Sequence, residues 1–128
     1  MTLHEAAKEG DLDVVIYLTE KDPAGVNNTD NYGLTPLFLA AMEGKYEVLK
    51  YLVDERQAYA SIKVKGGLTP LLIGAERGWL DVVKYLVEKN PAGVNIKSIA
   101  GTPLHYAQKY CYVDDCSSVI EYLKTFKN

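Results

Sequence analysis

The feature that most constrains this chain is that it repeats itself. Aligned on itself, it brings together Thr2-Leu3-His4-Glu5-Ala6-Ala7, Thr35-Pro36-Leu37-Phe38-Leu39-Ala40-Ala41, Thr69-Pro70-Leu71-Leu72-Ile73-Gly74-Ala75 and Thr102-Pro103-Leu104-His105-Tyr106-Ala107. The shared leucines stand at 3, 37, 71 and 104, giving steps of 34, 34 and 33 residues. A second register agrees: Tyr17-Leu18, Tyr51-Leu52, Tyr85-Leu86 and Tyr122-Leu123 recur with steps of 34, 34 and 37, which places four extra residues in the last copy, near Tyr112 to Asp115. A fixed period of this length marks a solenoid, in which each copy is one supersecondary unit that buries its apolar face only against a neighbour.

Each copy carries the same local instructions. Thr35 and Thr69 can accept a hydrogen bond from an orphaned N–H at a helix start, and Pro36 and Pro70 follow where the missing N–H costs nothing. The helix this predicts is about two turns long and stops at Gly10, Gly44 or Gly78, since glycine adopts the left-handed conformation that ends helices. A second helix follows, with Leu80, Val82, Val83, Leu86 and Val87 spaced to form an apolar face and its flank. The segments Lys21-Asp22-Pro23-Ala24-Gly25-Val26-Asn27 and Lys89-Asn90-Pro91-Ala92-Gly93-Val94-Asn95 are too short and too rich in turn formers for another helix, and are expected to be extended turns. The recurring Tyr17, Tyr51, Tyr85 and Tyr122 are expected to pack between helices. The end copies are atypical: the first lacks a preceding turn segment and a proline, and the last has Cys111 where the others have the inter-helix glycine.

Composition narrows the function. At 128 residues one domain is expected, spanning 1–128, and a hydrophobic share of 48% with 24% charged residues is that of a folding chain. Fourteen Lys and Arg against seventeen Asp and Glu give a net charge of -3. No basic block could neutralise a row of phosphates, so nucleic acid is not an expected partner. Membrane insertion is not expected either, because the apolar runs are short, and no signal peptide is read at the start. An intracellular, cytoplasmic protein is expected. Cys111 and Cys116 are too few and too local for a disulfide framework and read as reduced thiols.

The stretches Gly33-Leu34-Thr35-Pro36-Leu37-Phe38-Leu39-Ala40-Ala41-Met42-Glu43-Gly44 and Gly101-Thr102-Pro103-Leu104-His105-Tyr106-Ala107 closely resemble the ankyrin repeat. So does Gly67-Leu68-Thr69-Pro70-Leu71, continuing through Gly78 to Leu80-Asp81-Val82-Val83-Lys84-Tyr85-Leu86. The resemblance covers nearly the whole chain as four repeats, at about 2–34, 35–68, 69–101 and 102–128. It implies an all-α solenoid of four helix-turn-helix repeats joined by β-turn or hairpin fingers, with fingers and inner helices forming a protein-binding groove. The family's histidine after Thr-Pro-Leu, which ties neighbouring turns together, is kept as His4 and His105 but replaced by Phe38 and Leu72, so those two joints must rely on packing. Two turn segments are one residue longer than the usual family form, with Pro23 and Pro91 near the helix ends.

Chemistry is scarce. No Gly-rich phosphate loop, Gly-x-Ser-x-Gly elbow or His-Glu-x-x-His pair occurs. His4 and His105 hold matching repeat positions and read as structural. Cys111, Cys116, Asp114, Asp115 and His105 do not have the spacing of a four-ligand zinc site, so no metal or cofactor is expected. A catalytic reading would require a reactive Cys111 or Cys116. The chain is therefore expected to be a protein–protein interaction scaffold and not an enzyme. The alternative is a regulatory ankyrin segment of a larger enzyme or of a host-directed effector. On the family pattern the positions free of stacking are Asn31, Tyr32, Leu34, Met42 and Glu43; Lys65, Leu68, Glu76, Arg77 and Trp79; and Ser98, Ile99, Lys109 and Tyr110. Tyr32, Met42, Arg77, Trp79 and Tyr110 are residue types that dominate interface energy. Trp79 could instead cover a neighbour's helix end, and Leu39, Ile73 and Tyr106 are read as packing between copies. A monomer is expected, with end-to-end association left open at the altered last repeat.

Overall fold

The structure is a computed structural model that describes residues 1–96, 98, 101–111 and 116–126. Among these residues lie eight α-helices in four hairpins. The inner member of each hairpin is α1 (Leu3–Glu9), α3 (Pro36–Met42), α5 (Pro70–Arg77) or α7 (Pro103–Tyr110), and the outer member is α2 (Leu12–Lys21), α4 (Tyr46–Arg56), α6 (Leu80–Lys89) or α8 (Ser117–Lys124). Inner helices stack on inner helices and outer on outer, so the core is a continuous seam through the stack.

The threonines start the inner helices as expected. The side-chain oxygens of Thr2, Thr35, Thr69 and Thr102 accept from the backbone N–H groups of Glu5, Phe38, Leu72 and His105 at 3.1, 3.2, 3.2 and 3.4 Å. Thr35, Thr69 and Thr102 are buried, and these bonds offset the cost of burying a hydroxyl. Gly10 and Gly78 end α1 and α5 in the left-handed conformation, with φ of +81° and +77°. The α3 helix stops earlier, at Met42, and Gly44 takes the left-handed turn at φ +72° after it.

Two expectations change. The segments at 23–25 and 91–95 are not extended but form short 3₁₀ turns, Pro23–Gly25 and Pro91–Asn95. Proline fixes φ near the helical value, and Gly25 and Gly93 donate back to the Asp22 and Asn90 carbonyls at 3.1 and 2.9 Å. The two cysteines are not thiols but a disulfide, Cys111–Cys116, with Cα atoms 6.5 Å apart. At Cys111 the backbone is extended (φ -69°, ψ 124°), where the other copies turn at a left-handed glycine, and Cys116 stands within bridging distance of it. The inserted Tyr112 to Asp115 lie outside the described residues.

The tyrosine series splits in a third correction. Tyr51 meets Thr19 and Tyr85 meets Asp54, each through its hydroxyl on the preceding outer helix. Tyr122 lies under the Lys84 ammonium, 5.7 Å from its ring centre. Tyr17 instead is 58% exposed, and none of the described helices covers it.

Candidate protein-binding surface

Three fingers project ahead of α3, α5 and α7, each closed by backbone pairing across a tight turn. Asp30 N–H donates to the Leu34 carbonyl at 2.9 Å, Val64 N–H to that of Leu68 at 2.8 Å, and Ser98 pairs with Gly101 as an isolated β-bridge. Closure recurs at 30, 64 and 98, the same 34-residue step that sets the helices.

The first finger is the best braced. The Asp30 Oδ1 accepts from the backbone N–H groups of Tyr32 and Leu34, both at 2.9 Å, and Gly33 turns with φ +79°. The Leu34 N–H first, and that of Tyr32 after it, hold the Asp30 carboxyl below the usual carboxylate range. An ionised Asp30 therefore fixes the turn, and the turn carries Tyr32 outward with 81% of its surface exposed. Asn31 beside it is exposed, while Leu34 and its counterpart Leu68 are half-buried at the finger bases.

The expected residues at the inner-helix ends are only partly free. Met42, Glu43, Glu76 and Arg77 are half-buried, and the Arg77 guanidinium lies 3.8 Å from the neighbouring Glu76 carboxylate. Such a surface pair contributes little, so Arg77 is held loosely and remains available. Lys109 is exposed with its ammonium 5.7 Å from the Tyr110 ring centre, and Tyr110 packs on Tyr106 at 5.4 Å. Ser98, half-buried, is bonded to the Tyr106 hydroxyl. Ile99 and the side chain of Lys65 lie outside what the structure describes.

Trp79 has a structural partner. Its indole Nε1 donates to the Met42 carbonyl at 3.0 Å, closing the end of α3, and its ring lies flat against Gly44, where an added Cβ would fall 2.5 Å from Cδ2. Of its two readings, the structure draws the cover over a neighbour's helix end. His4 ties turns as its family position implies, through Nε2 to the Asn28 carbonyl at 2.9 Å. His105 works inside its own repeat, where Nδ1 accepts from the Thr102 N–H at 3.2 Å in a capping box. Phe38 and Leu72 are buried in packed joints, as their loss of the histidine requires.

Exposed aromatics were missed at two places. Tyr59, 66% exposed, stands where the first and third copies have Gly25 and Gly93, and its backbone N–H is held by Asn27 Oδ1 at 3.1 Å. A residue that departs from the repeat is released from stacking, and that departure was readable. Tyr17 is the other, and repetition itself concealed it. Lys8 and Glu9 are also exposed at the end of α1, in register with Met42 and Glu43.

Among the described residues no group of three or more His, Cys, Asp or Glu side chains is placed to hold a metal ion. None of the described helices is long and apolar enough to cross a membrane. A family model described as ankyrin repeats (3 copies) matches residues 1–65 and again residues 57–127. No curated protein matches the chain.

Proposed function

The chain belongs to the ankyrin-repeat family, whose members are generally protein–protein interaction modules, and from that premise we propose that it binds one partner protein along its fingers and inner helices. The observation that carries this reading is Tyr32. Its aromatic side chain is 81% exposed, and an ionised Asp30 and a left-handed glycine hold it outward on a fixed turn, so it is presented without a cost of ordering the backbone beneath it. Rigid aromatic anchors lose little entropy on binding and head the list of residues that carry interface energy.

Arg77, Lys109 and Tyr110 extend the same row through the third and fourth repeats, with Asn31, Met42, Glu43, Leu68 and Glu76 as its surround. Lys65, Ser98 and Ile99 belong to the proposed surface by their place in the repeat. Trp79 contributes by holding the end of α3 in position. The chain acts as a single binding domain without catalysis of its own. In an intracellular, cytoplasmic setting the Cys111–Cys116 bond would stand in equilibrium with its dithiol.

The test is capture of partners by the full chain compared with a Tyr32→Ala, Arg77→Ala, Lys109→Ala variant that keeps its circular dichroism and unfolding midpoint. A protein retained by the parent and lost by the folded variant supports the surface. Equal retention by both moves the binding site elsewhere.

A further inference from the structure

We propose that the uncovered side of α2 is a second protein-binding surface, built to take a single amphipathic helix that offers a carboxylate to Tyr17 and Lys21. The warrant is an internal duplicate. Residues 12–27 and 80–95 differ only at Ile16/Lys84, Thr19/Val87 and Asp22/Asn90, so α2 and α6 are nearly the same helix. At α6 the helix before it is in place and shows what such a face receives. The Tyr85 hydroxyl donates to Asp54 Oδ1 at 2.5 Å, and the Lys89 ammonium lies 2.9 Å from the same oxygen. Tyrosine and lysine one turn apart thus form a clasp around one carboxylate of α4.

The clasp on α2 has the same form and is empty. The Lys21 ammonium sits 5.4 Å from the Tyr17 ring centre, as Lys89 sits 5.4 Å from that of Tyr85. Tyr85 is 7% exposed and Tyr17 is 58% exposed. Beside the clasp, Val14 and Leu18 are half-buried where their counterparts Val82 and Leu86 are buried. The surface on offer is thus a strip of Val14 and Leu18 closed by a hydroxyl and an ammonium that together select an acidic group.

The neighbouring inner helix limits the occupant to one helix. Leu39, Ile73 and Tyr106 are buried, while the matching residue of the first copy is the exposed Glu5. A whole repeat laid on this end would cover that charge; a lone helix along α2 would not. A second copy of the chain is a poor fit. Its own last outer helix places Thr125 where α4 has Asp54, and the exposed Lys124 where α6 has the buried Val87.

The test uses the full chain and a hydrocarbon-stapled, fluorescein-labelled peptide with the sequence of Lys45–Gln57, the segment that fills the clasp at α6, read by fluorescence anisotropy. Stapling removes the helix-forming cost that would otherwise mask a contact of this size. The expected result is saturable binding that weakens about tenfold, equivalent to about 1.4 kcal/mol, in a Tyr17→Phe, Lys21→Gln double variant. Both changed residues lie on the surface, so the fold is retained. The same loss is expected when the peptide carries Asp54→Asn, and the two losses should not add. Tyr32→Ala should leave the affinity unchanged, which separates this surface from the finger row. Absence of saturable binding overturns the proposal, as does binding indifferent to Tyr17, Lys21 and the peptide carboxylate. A concentration-dependent dimer in sedimentation, abolished by the same double variant, also overturns it, by assigning the face to a second copy.

Discussion

Helices α2 and α6 are nearly one sequence in two places, and the structure treats them differently. In α6, Val82, Tyr85 and Leu86 are buried and Asp54 of α4 is gripped by Tyr85 and Lys89. In α2, Val14 and Leu18 are half-buried and Tyr17 is exposed. The difference also reaches the residue just before each helix. Asp11 caps its own helix, its carboxylate accepting from the Val14 N–H at 3.3 Å, whereas Trp79 at the same repeat position reaches back over Gly44. In a solenoid, burial belongs to the joint between copies and not to the helix, so identical residues acquire different energies from what precedes them.

The largest expected contrast follows from that. Leu86→Ala opens a void in a closed joint and should cost roughly 2–5 kcal/mol. Leu18→Ala removes a side chain still partly in water and should cost about 1 kcal/mol. Denaturant unfolding of the two variants measures the gap, and equal losses would mean that α2 is as fully covered as α6.

The bends give the next contrast. Gly44→Ala forces a residue with a Cβ to φ +72° and drives that Cβ into the Trp79 indole, whose place is fixed by the bond to Met42. The left-handed conformation alone costs roughly 1–3 kcal/mol, and displacing the indole adds to it. Gly10→Ala meets only the Lys45 side chain, at 2.7 Å from Cδ, and that side chain can swing away. Gly44→Ala should therefore lower the unfolding midpoint further, and Trp79 fluorescence should shift in it and stay unchanged in Gly10→Ala.

Much of this was legible beforehand. The four threonine starts, the glycine turns and the stacking order follow from residues that any copy needs for itself, so they repeat visibly. Joints were less legible, because a joint is made by two copies and the period shows only one. Repetition of tyrosine was read as repetition of burial, and it failed at Tyr17, which is exposed while Tyr85 is buried. The cysteine pair misled for a related reason. Their separation of 5 residues says nothing about Cα distance until the bend at Cys111 is known. Tyr32 was found because fingers are free of stacking, while Tyr59, equally free, lay in a turn segment that the family pattern does not mark.

A smaller contrast separates the two tyrosines. Tyr85→Phe leaves the Asp54 carboxylate with Lys89 alone, and the lost hydrogen bond should cost about 1 kcal/mol. Tyr17→Phe removes a hydroxyl that touches solvent and should stay within about 0.5 kcal/mol of the parent. A comparable loss in both would show that the α2 clasp is already occupied.

The smallest effect is one of pH, and it distinguishes joints by their chemistry. The Tyr85 hydroxyl first, and Lys89 second, hold the Asp54 carboxyl below the ordinary value, so the joint's contribution is complete above the unfolded-chain pKa near 3.9 and is lost as pH falls through the lower folded value. At the other end, burial first and the bond to Asp54 second raise the Tyr85 phenol. Its contribution is complete below about pH 10 and is lost as pH rises from there through the folded value. The joint between α2 and α4 holds no carboxylate: the Tyr51 hydroxyl, which accepts from the Arg56 Nε at 2.9 Å, bonds to Thr19 Oγ1 at 2.9 Å, and neither arginine nor hydroxyl titrates in acid, so this joint has no acid limb. Melting midpoints of the parent and Asp54→Asn should thus differ near neutrality and converge in acid, whereas parent and Thr19→Val should keep a constant separation over the same range. A gap at Asp54 that does not begin to narrow as pH falls below the unfolded-chain value would mean that its carboxyl is not what Tyr85 and Lys89 hold, and that the clasp is a matter of packing alone.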